Sequence, residues 1–211
     1  MKIRLRKDNK FDNNKKIKAI KNTKTVAIYF SPETLRVIKA ESEKSPYTET
    51  GGILLGRKYE MATQIIFVVF HTSGPGPRAF KTPIALVPDI DYYNEMLING
   101  RNSGGLDYLG EWHKHPAGFE NTSLADLEQV NKIFTEEERD FMICPIVFEK
   151  LPAAKGRRTS PHLPVDKDMF TCGRFAIKVF YFSRGSKKMD AIIPQNIHKN
   201  SAFYKKLIKN Y

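Results

Sequence analysis

Five runs dense in β-branched and aromatic residues recur through the middle of this chain and dictate that a sheet dominates its fold. They are TVAIYF from Thr25, GGILLGRKY from Gly51, QIIFVVF from Gln64, FMICPIVFE from Phe141 and RFAIKVFYF from Arg174. Helical patterns interrupt them. Ser31-Pro32 supplies a cap and a first-turn proline, predicting a helix over roughly 32–44. GGILLGRKY and QIIFVVF read as a hairpin turning around Glu60 to Thr63, and SGPGPRAFKTP, residues 73–83, is too rich in Pro and Gly for a regular element. Pro88-Asp89 then opens a helix with Tyr92, Tyr93, Met96 and Leu97 at helical spacing, ending before Gly100. DYLGEWHKH reads as a strand, NTSLADLEQVNKIF as a capped helix, and residues 151–169 as a loop between the last two strands. Phe203, Leu207 and Ile208 suggest a terminal helix. The order lacks the regular alternation of a doubly wound sheet, and no Gly-rich phosphate loop opens any helix. An α+β fold is expected, with a mixed β-sheet flanked by helices.

A chain of 211 residues fits one domain with extensions. The net charge of +12 points to nucleic acid until it is located along the sequence. Residues 1–24 carry +8 and residues 183–211 carry +6, which leaves −2 for residues 25–182. A folded nucleic-acid domain concentrates basic charge on one of its own faces, so the basic character here belongs to appendages. The reading is a basic arm over 1–24, a folded domain over 25–182, and a basic tail over 183–211 that includes the terminal helix. Nucleic acid remains a conceivable partner of the ends. No apolar run resembles a membrane span or a secretory core, so the expectation is a cytoplasmic protein without a membrane partner. Cys144 and Cys172 stand alone, 28 positions apart, and read as ordinary buried residues. That excludes a disulfide framework and a paired-cysteine knuckle, and makes a thiol nucleophile a poor alternative. Any metal must be held by histidine and carboxylate.

Of the histidines at 71, 113, 115, 162 and 198, two are close together. Alternate side chains of a strand share a face, so His113 and His115 project the same way from Trp112-His113-Lys114-His115-Pro116, with Trp112 and Lys114 opposite. Eleven positions later Asp126 falls in the first turn of a helix capped by Ser123. Two imidazoles and one carboxylate form a three-ligand zinc set with a fourth position open to water, the arrangement of a catalytic site. Either half alone has an ordinary explanation, since His-x-His pairs are common and Ser-x-x-Asp is a capping box. The full pattern H-x-H-x7-S-x2-D has a chance occurrence of about 0.0003 in a chain of this composition. Glu111 and Trp112 read as packing or supporting residues.

The spacing His113-x-His115-Pro116, Ser123, Asp126, preceded by Glu49 in Glu49-Thr-Gly-Gly-Ile-Leu-Leu-Gly56, resembles the JAMM (JAB1/MPN/Mov34) metalloprotease motif. The resemblance covers about residues 26–182. It implies an MPN/JAB-like (cytidine-deaminase-like) domain and zinc on His113, His115 and Asp126. It further implies Glu49 as general base and Ser123 as a hydrogen-bond donor to the tetrahedral intermediate. Spacing alone does not single out Glu49 among thirteen glutamates. The GPGP segment, the Pro88-Asp89 helix and the Gly-Glu-Trp-His approach are similar to compact bacterial members. Those members are associated with anti-phage operons that pair a cyclic-oligonucleotide synthase with ubiquitin-like conjugation enzymes. The implied function is zinc-dependent hydrolysis of the bond between a ubiquitin-like C-terminus and its target, including a conjugated nucleotidyltransferase. Two alternatives stand beside it: processing of a ubiquitin-like or sulfur-carrier precursor, and a non-enzymatic MPN scaffold whose basic ends hold nucleic acid or a partner.

Overall fold

The computed structural model describes residues 24–116, 119–137, 139–149, 169–184, 190–192 and 195–196. Apart from Lys24 the basic arm lies outside the described residues, as do most of the 151–169 connection, most of the basic tail and the expected helix at Phe203, Leu207 and Ile208.

Strand β1 (Thr25–Phe30) leads into helix α1 (Pro32–Lys44), where the Ser31 hydroxyl accepts from the Thr34 amide as the cap. The β2 (Thr50–Glu60) and β3 (Gln64–Thr72) hairpin forms where the two apolar runs predict it. Within 73–83 the chain makes one short element, β4 (Phe80–Lys81), which pairs with β5 (Leu86–Val87) as a separate two-stranded flap. Helix α2 (Ile90–Gly104) is capped by Asp89, whose buried carboxylate also accepts from the Arg78 side chain at 2.8 and 3.1 Å. This helix runs past Gly100, where the sequence predicted its end. Gly100 is a buried contact, 3.1 Å from Leu55 Cδ1 at the position a Cβ would occupy, and the true stop is Gly105 at φ +56°.

Strand β6 (Asp107–His115), helix α3 (Leu124–Glu136) and strand β7 (Phe141–Glu149) form a β-α-β crossover, with β6 and β7 parallel. Strands β8 (Met169–Cys172), β9 (Phe175–Ser183), β10 (Asp190–Ile192) and β11 (Gln195–Asn196) complete the described sheet. The order is β10-β9-β7-β6-β2-β3-β1-β11, with β8 added on β9, so β6 lies well inside the sheet.

Alternation along these strands divides the core between two faces. On one face Ile38 of α1 packs with Leu54, Phe67, Trp112 and Val147. On the other, Tyr93 of α2 packs with Ile53, Leu55 and Val68, while Val130 and Ile133 of α3 pack with Met142, Cys144 and Ile146. The result is a mixed α+β architecture in which a curled sheet is flanked by three helices. Complete burial contributes about 1.5–3 kcal/mol for each large apolar side chain before entropy is charged against it. No helix among the described residues is long and apolar enough to cross a membrane.

Candidate metal centre

The seam between α2 and α3 opens into a cavity of about 370 Å³ over β6, lined by Glu49, Glu111, His113, Ser123 and Asp126 together with apolar side chains of the flap and helices. His113 and His115 share this face of β6, as strand alternation predicts, and their rings lie 4.8 Å apart. Helix α3 starts at the mouth of the cavity and supplies the third group. His113 Nε2 is 3.2 Å from Asp126 Oδ1, and His115 Nε2 is 3.7 Å from Asp126 Oδ2. One ligand atom from each of the three lies within 4.8 Å of the others.

The helix cap holds Asp126 in place. Its carboxylate accepts from the Ser123 amide at 2.5 Å while its own amide donates to Ser123 Oγ at 3.2 Å, closing a capping box. The Ser123 hydroxyl accepts in this arrangement and keeps its own proton available to donate. Burial by itself would raise the Asp126 carboxyl, but His113 and the bonds from Ser123 outweigh it and hold the group at about 2. Asp126 is therefore an anion at neutral pH.

His115 is oriented from behind, with Nδ1 3.0 Å from the Phe119 carbonyl oxygen. A carbonyl only accepts, so Nδ1 carries the proton and Nε2 presents its lone pair to the cavity. Burial lowers the His115 pKa and keeps the ring neutral. His113 Nε2 is buried with no hydrogen-bond partner despite its closeness to Asp126. An unbonded imidazole nitrogen, a second imidazole nitrogen freed by its tautomer and an ionised carboxylate fit a tetrahedral divalent cation of zinc type. Zinc bonds of about 2.0–2.1 Å require ligand separations of roughly 3.3 Å, which the His113 Nε2 to Asp126 Oδ1 distance of 3.2 Å matches.

Glu49 precedes β2 and reaches the same cavity from the neighbouring strand, its amide donating to the Thr82 carbonyl of the flap at 2.8 Å. Burial raises its carboxyl above the ordinary value; His113 opposes the rise and Asp126 adds to it. Four of the five residues singled out in the sequence, Glu49, His113, Ser123 and Asp126, thus line one space, and His115 adjoins it through Asp126. Trp112 is a core residue, fully buried, with Nε1 donating to the Ser73 carbonyl at 3.1 Å. Glu111 does more than pack: it lines the cavity, burial raises its carboxyl, and the Tyr108 hydroxyl donates to it at 3.0 Å. Its place two residues before His113, on the same strand face, was the available sequence signal. His71 is exposed on β3 and takes no part, while His162 and His198 lie outside the described residues.

No family model matches the chain. It is 31% identical over 112 residues to a protein of Enterobacter hormaechei subsp. hoffmannii (strain UCI 50) named "CD-NTase/cGAS isopeptidase", covering 50% of this chain and 57% of that one. A protein of the same name from Escherichia coli (strain TW11681) is 30% identical over 84 residues, covering 38% of this chain and 51% of its own length. The chain spans about half the length of the curated relatives it matches. Among solved structures, a solution structure of a protein from Desulfitobacterium hafniense superposes with a TM-score of 0.53 at 14% identity, covering 81% of this chain and 93% of that one, a likeness of fold alone.

Proposed function

We propose that this chain is a zinc-dependent isopeptidase with the MPN/JAB-type (cytidine-deaminase-like) domain of JAMM proteases. In this reading it cleaves the bond between the C-terminus of a ubiquitin-like protein and its target, the target being a CD-NTase of a bacterial anti-phage system. The observation that carries the reading is the meeting of His113, His115 and Asp126, with an unbonded buried Nε2, beside a cavity whose lining includes His113, Asp126, Glu49 and Ser123. The isopeptidase name shared by the two bacterial relatives supports the reaction class and the substrate.

Zinc on the three ligands supplies Lewis acidity at the scissile carbonyl and brings the ionisation of water from about 15.7 towards about 7. Glu49 takes the proton from the attacking water. Its raised pKa makes it a better proton acceptor than an ordinary carboxylate, and it remains far less basic than the departing lysine amine, to which it passes that proton on. The Ser123 hydroxyl, already accepting from the Asp126 amide, donates to the oxygen on which negative charge develops. His115 keeps its lone pair aimed inward through the Phe119 bond, and neighbouring Glu111 and Tyr108 polarise the inner wall. Exposed Ile84, Val87 and Ile90 border the cavity on one side, and exposed Phe119 and Leu124 flank the ligand helix. An apolar rim of this kind suits a polypeptide substrate better than a small polar molecule.

The decisive experiment incubates the full chain with ubiquitin-like conjugates, with and without a chelator, and identifies the products by mass spectrometry. A released acceptor lysine supports deconjugation, whereas a trimmed C-terminus on an unconjugated precursor supports processing. Metal-loaded protein that cleaves neither substrate overturns the reading.

A further inference from the structure

Lys114 lies between the two imidazole-bearing residues on β6 and points to the opposite face, where it is only 1% exposed. Its partners there are backbone carbonyls: Nζ donates to Ser45 O at 2.6 Å, Pro46 O at 3.3 Å and Thr48 O at 3.5 Å. These three acceptors use all three N–H bonds of the ammonium. They belong to the connection between α1 and β2, from the C-cap residue Ser45 to the residue directly before Glu49. The next β2 residue, Thr50, is the register partner of Lys114.

A buried ammonium facing neutral oxygens is a costly way to fill space. A methionine occupies the same volume without desolvation, and apolar replacement of buried charge is often neutral for stability. What the ammonium adds is direction, because it aligns three backbone carbonyls, of residues 45, 46 and 48, at the approach to Glu49. We infer that Lys114 is a positioning residue that clamps the 45–48 connection to β6 and so sets the distance between the Glu49 carboxylate and the His113, His115 and Asp126 cluster. The clamp acts on the reaction through Glu49, and in that respect it rests on the isopeptidase reading. Ligand geometry is independent of it, since the imidazoles project from the other face of the strand. A displacement of about 1 Å in a reacting group costs on the order of 100-fold in rate.

The test compares wild type, Lys114→Met and Lys114→Gln, and then adds Lys114→Met to Glu49→Gln. Lys114→Met is expected to lower kcat about 10- to 100-fold with KM and zinc content unchanged, and to speed amide hydrogen exchange in 46–50 while exchange in β6 and α3 is unchanged. Lys114→Gln, which retains N–H donors, is expected to recover part of the rate. In the Glu49→Gln background the Lys114 change is expected to add no further loss. An unchanged kcat, a loss that multiplies fully with Glu49→Gln, or loss of zinc overturns the inference. Failure of both single variants to fold makes Lys114 a core residue and also overturns it. If wild type cleaves no conjugate, the isopeptidase reading fails separately, and hydrogen exchange decides the clamp: unchanged exchange in 46–50 removes it, and faster exchange confined there sustains it.

Discussion

Ser123 and Asp126 bond each other in both directions, the serine amide to the carboxylate at 2.5 Å and the aspartate amide to the hydroxyl at 3.2 Å. The cap that starts α3 and the ligand that closes the candidate metal centre are therefore one device. Removing the serine hydroxyl disturbs stability and chemistry together, and the two must be separated by choice of substitution. Ser123→Ala is expected to cost about 1 kcal/mol of stability and to lower cleavage. Ser123→Asp caps as well as serine but, ionised, has no O–H to donate, so it is expected to restore stability without restoring the rate. Thermal unfolding and turnover measured on the same preparations check both.

His113→Ala, His115→Ala and Asp126→Ala are each expected to purify with little or no zinc. Elemental analysis of the three proteins is the measurement. Full metal occupancy in any one removes that residue from the ligand set, while His71→Ala is expected to keep wild-type occupancy.

Glu49→Gln is expected to abolish cleavage by about 100-fold or more while zinc content stays at the wild-type level. In the metal-free protein the Glu49 carboxyl is expected to titrate above the ordinary carboxylate value of 4.5, because burial raises it, and an NMR titration of wild type against Glu49→Gln reads this directly. A Glu49→Gln variant that cleaves normally removes Glu49 from the mechanism.

The metal-free protein carries a pH signature of its own. Asp126 is held at about 2 in the folded state, below the ordinary aspartate value of 3.8. The folded state therefore favours the ionised form. This contributes on the order of 2 kcal/mol at pH above the unfolded value, and the contribution disappears as pH falls through about 2. Denaturant titrations of metal-free wild type and Asp126→Asn between pH 6 and 2 are expected to converge as the pH drops.

Gly52→Ala is expected to destabilise by at least about 2 kcal/mol, because a Cβ there would meet the Ser73 carbonyl oxygen at 1.9 Å. Chemical denaturation checks this. The same carbonyl accepts from Trp112, so the close approach of backbone at Gly52 and the seating of β6 are coupled.

The candidate ligand set was legible in the sequence because two strong local rules coincide there. Alternation along a strand put His113 and His115 on one face, and the capping box at Ser123 fixed the turn that holds Asp126. Glu49 obeyed no such rule: it is 64 positions before His113, and only the resemblance to a known motif singled it out. Lys114 was legible as a direction, away from the histidines, but not as a buried clamp, since nothing local marks a lysine whose partners are distant carbonyls. Gly100 misled because a glycine within a helix and one beyond its end differ by tertiary packing, here against Leu55. The strands β8, β10 and β11 are two to four residues long, too short for propensity to mark.

The crossover from β6 through α3 has a kinetic corollary. All three candidate cation-binding groups fall within fourteen consecutive residues, so a single short closure brings them together, whereas the acid from ahead of β2 arrives only when distant strands zip up. Under the proposed function, capturing an ion and becoming able to turn over are thus separate events during maturation of the polypeptide, the first governed by neighbours in the chain and the second by completion of the sheet.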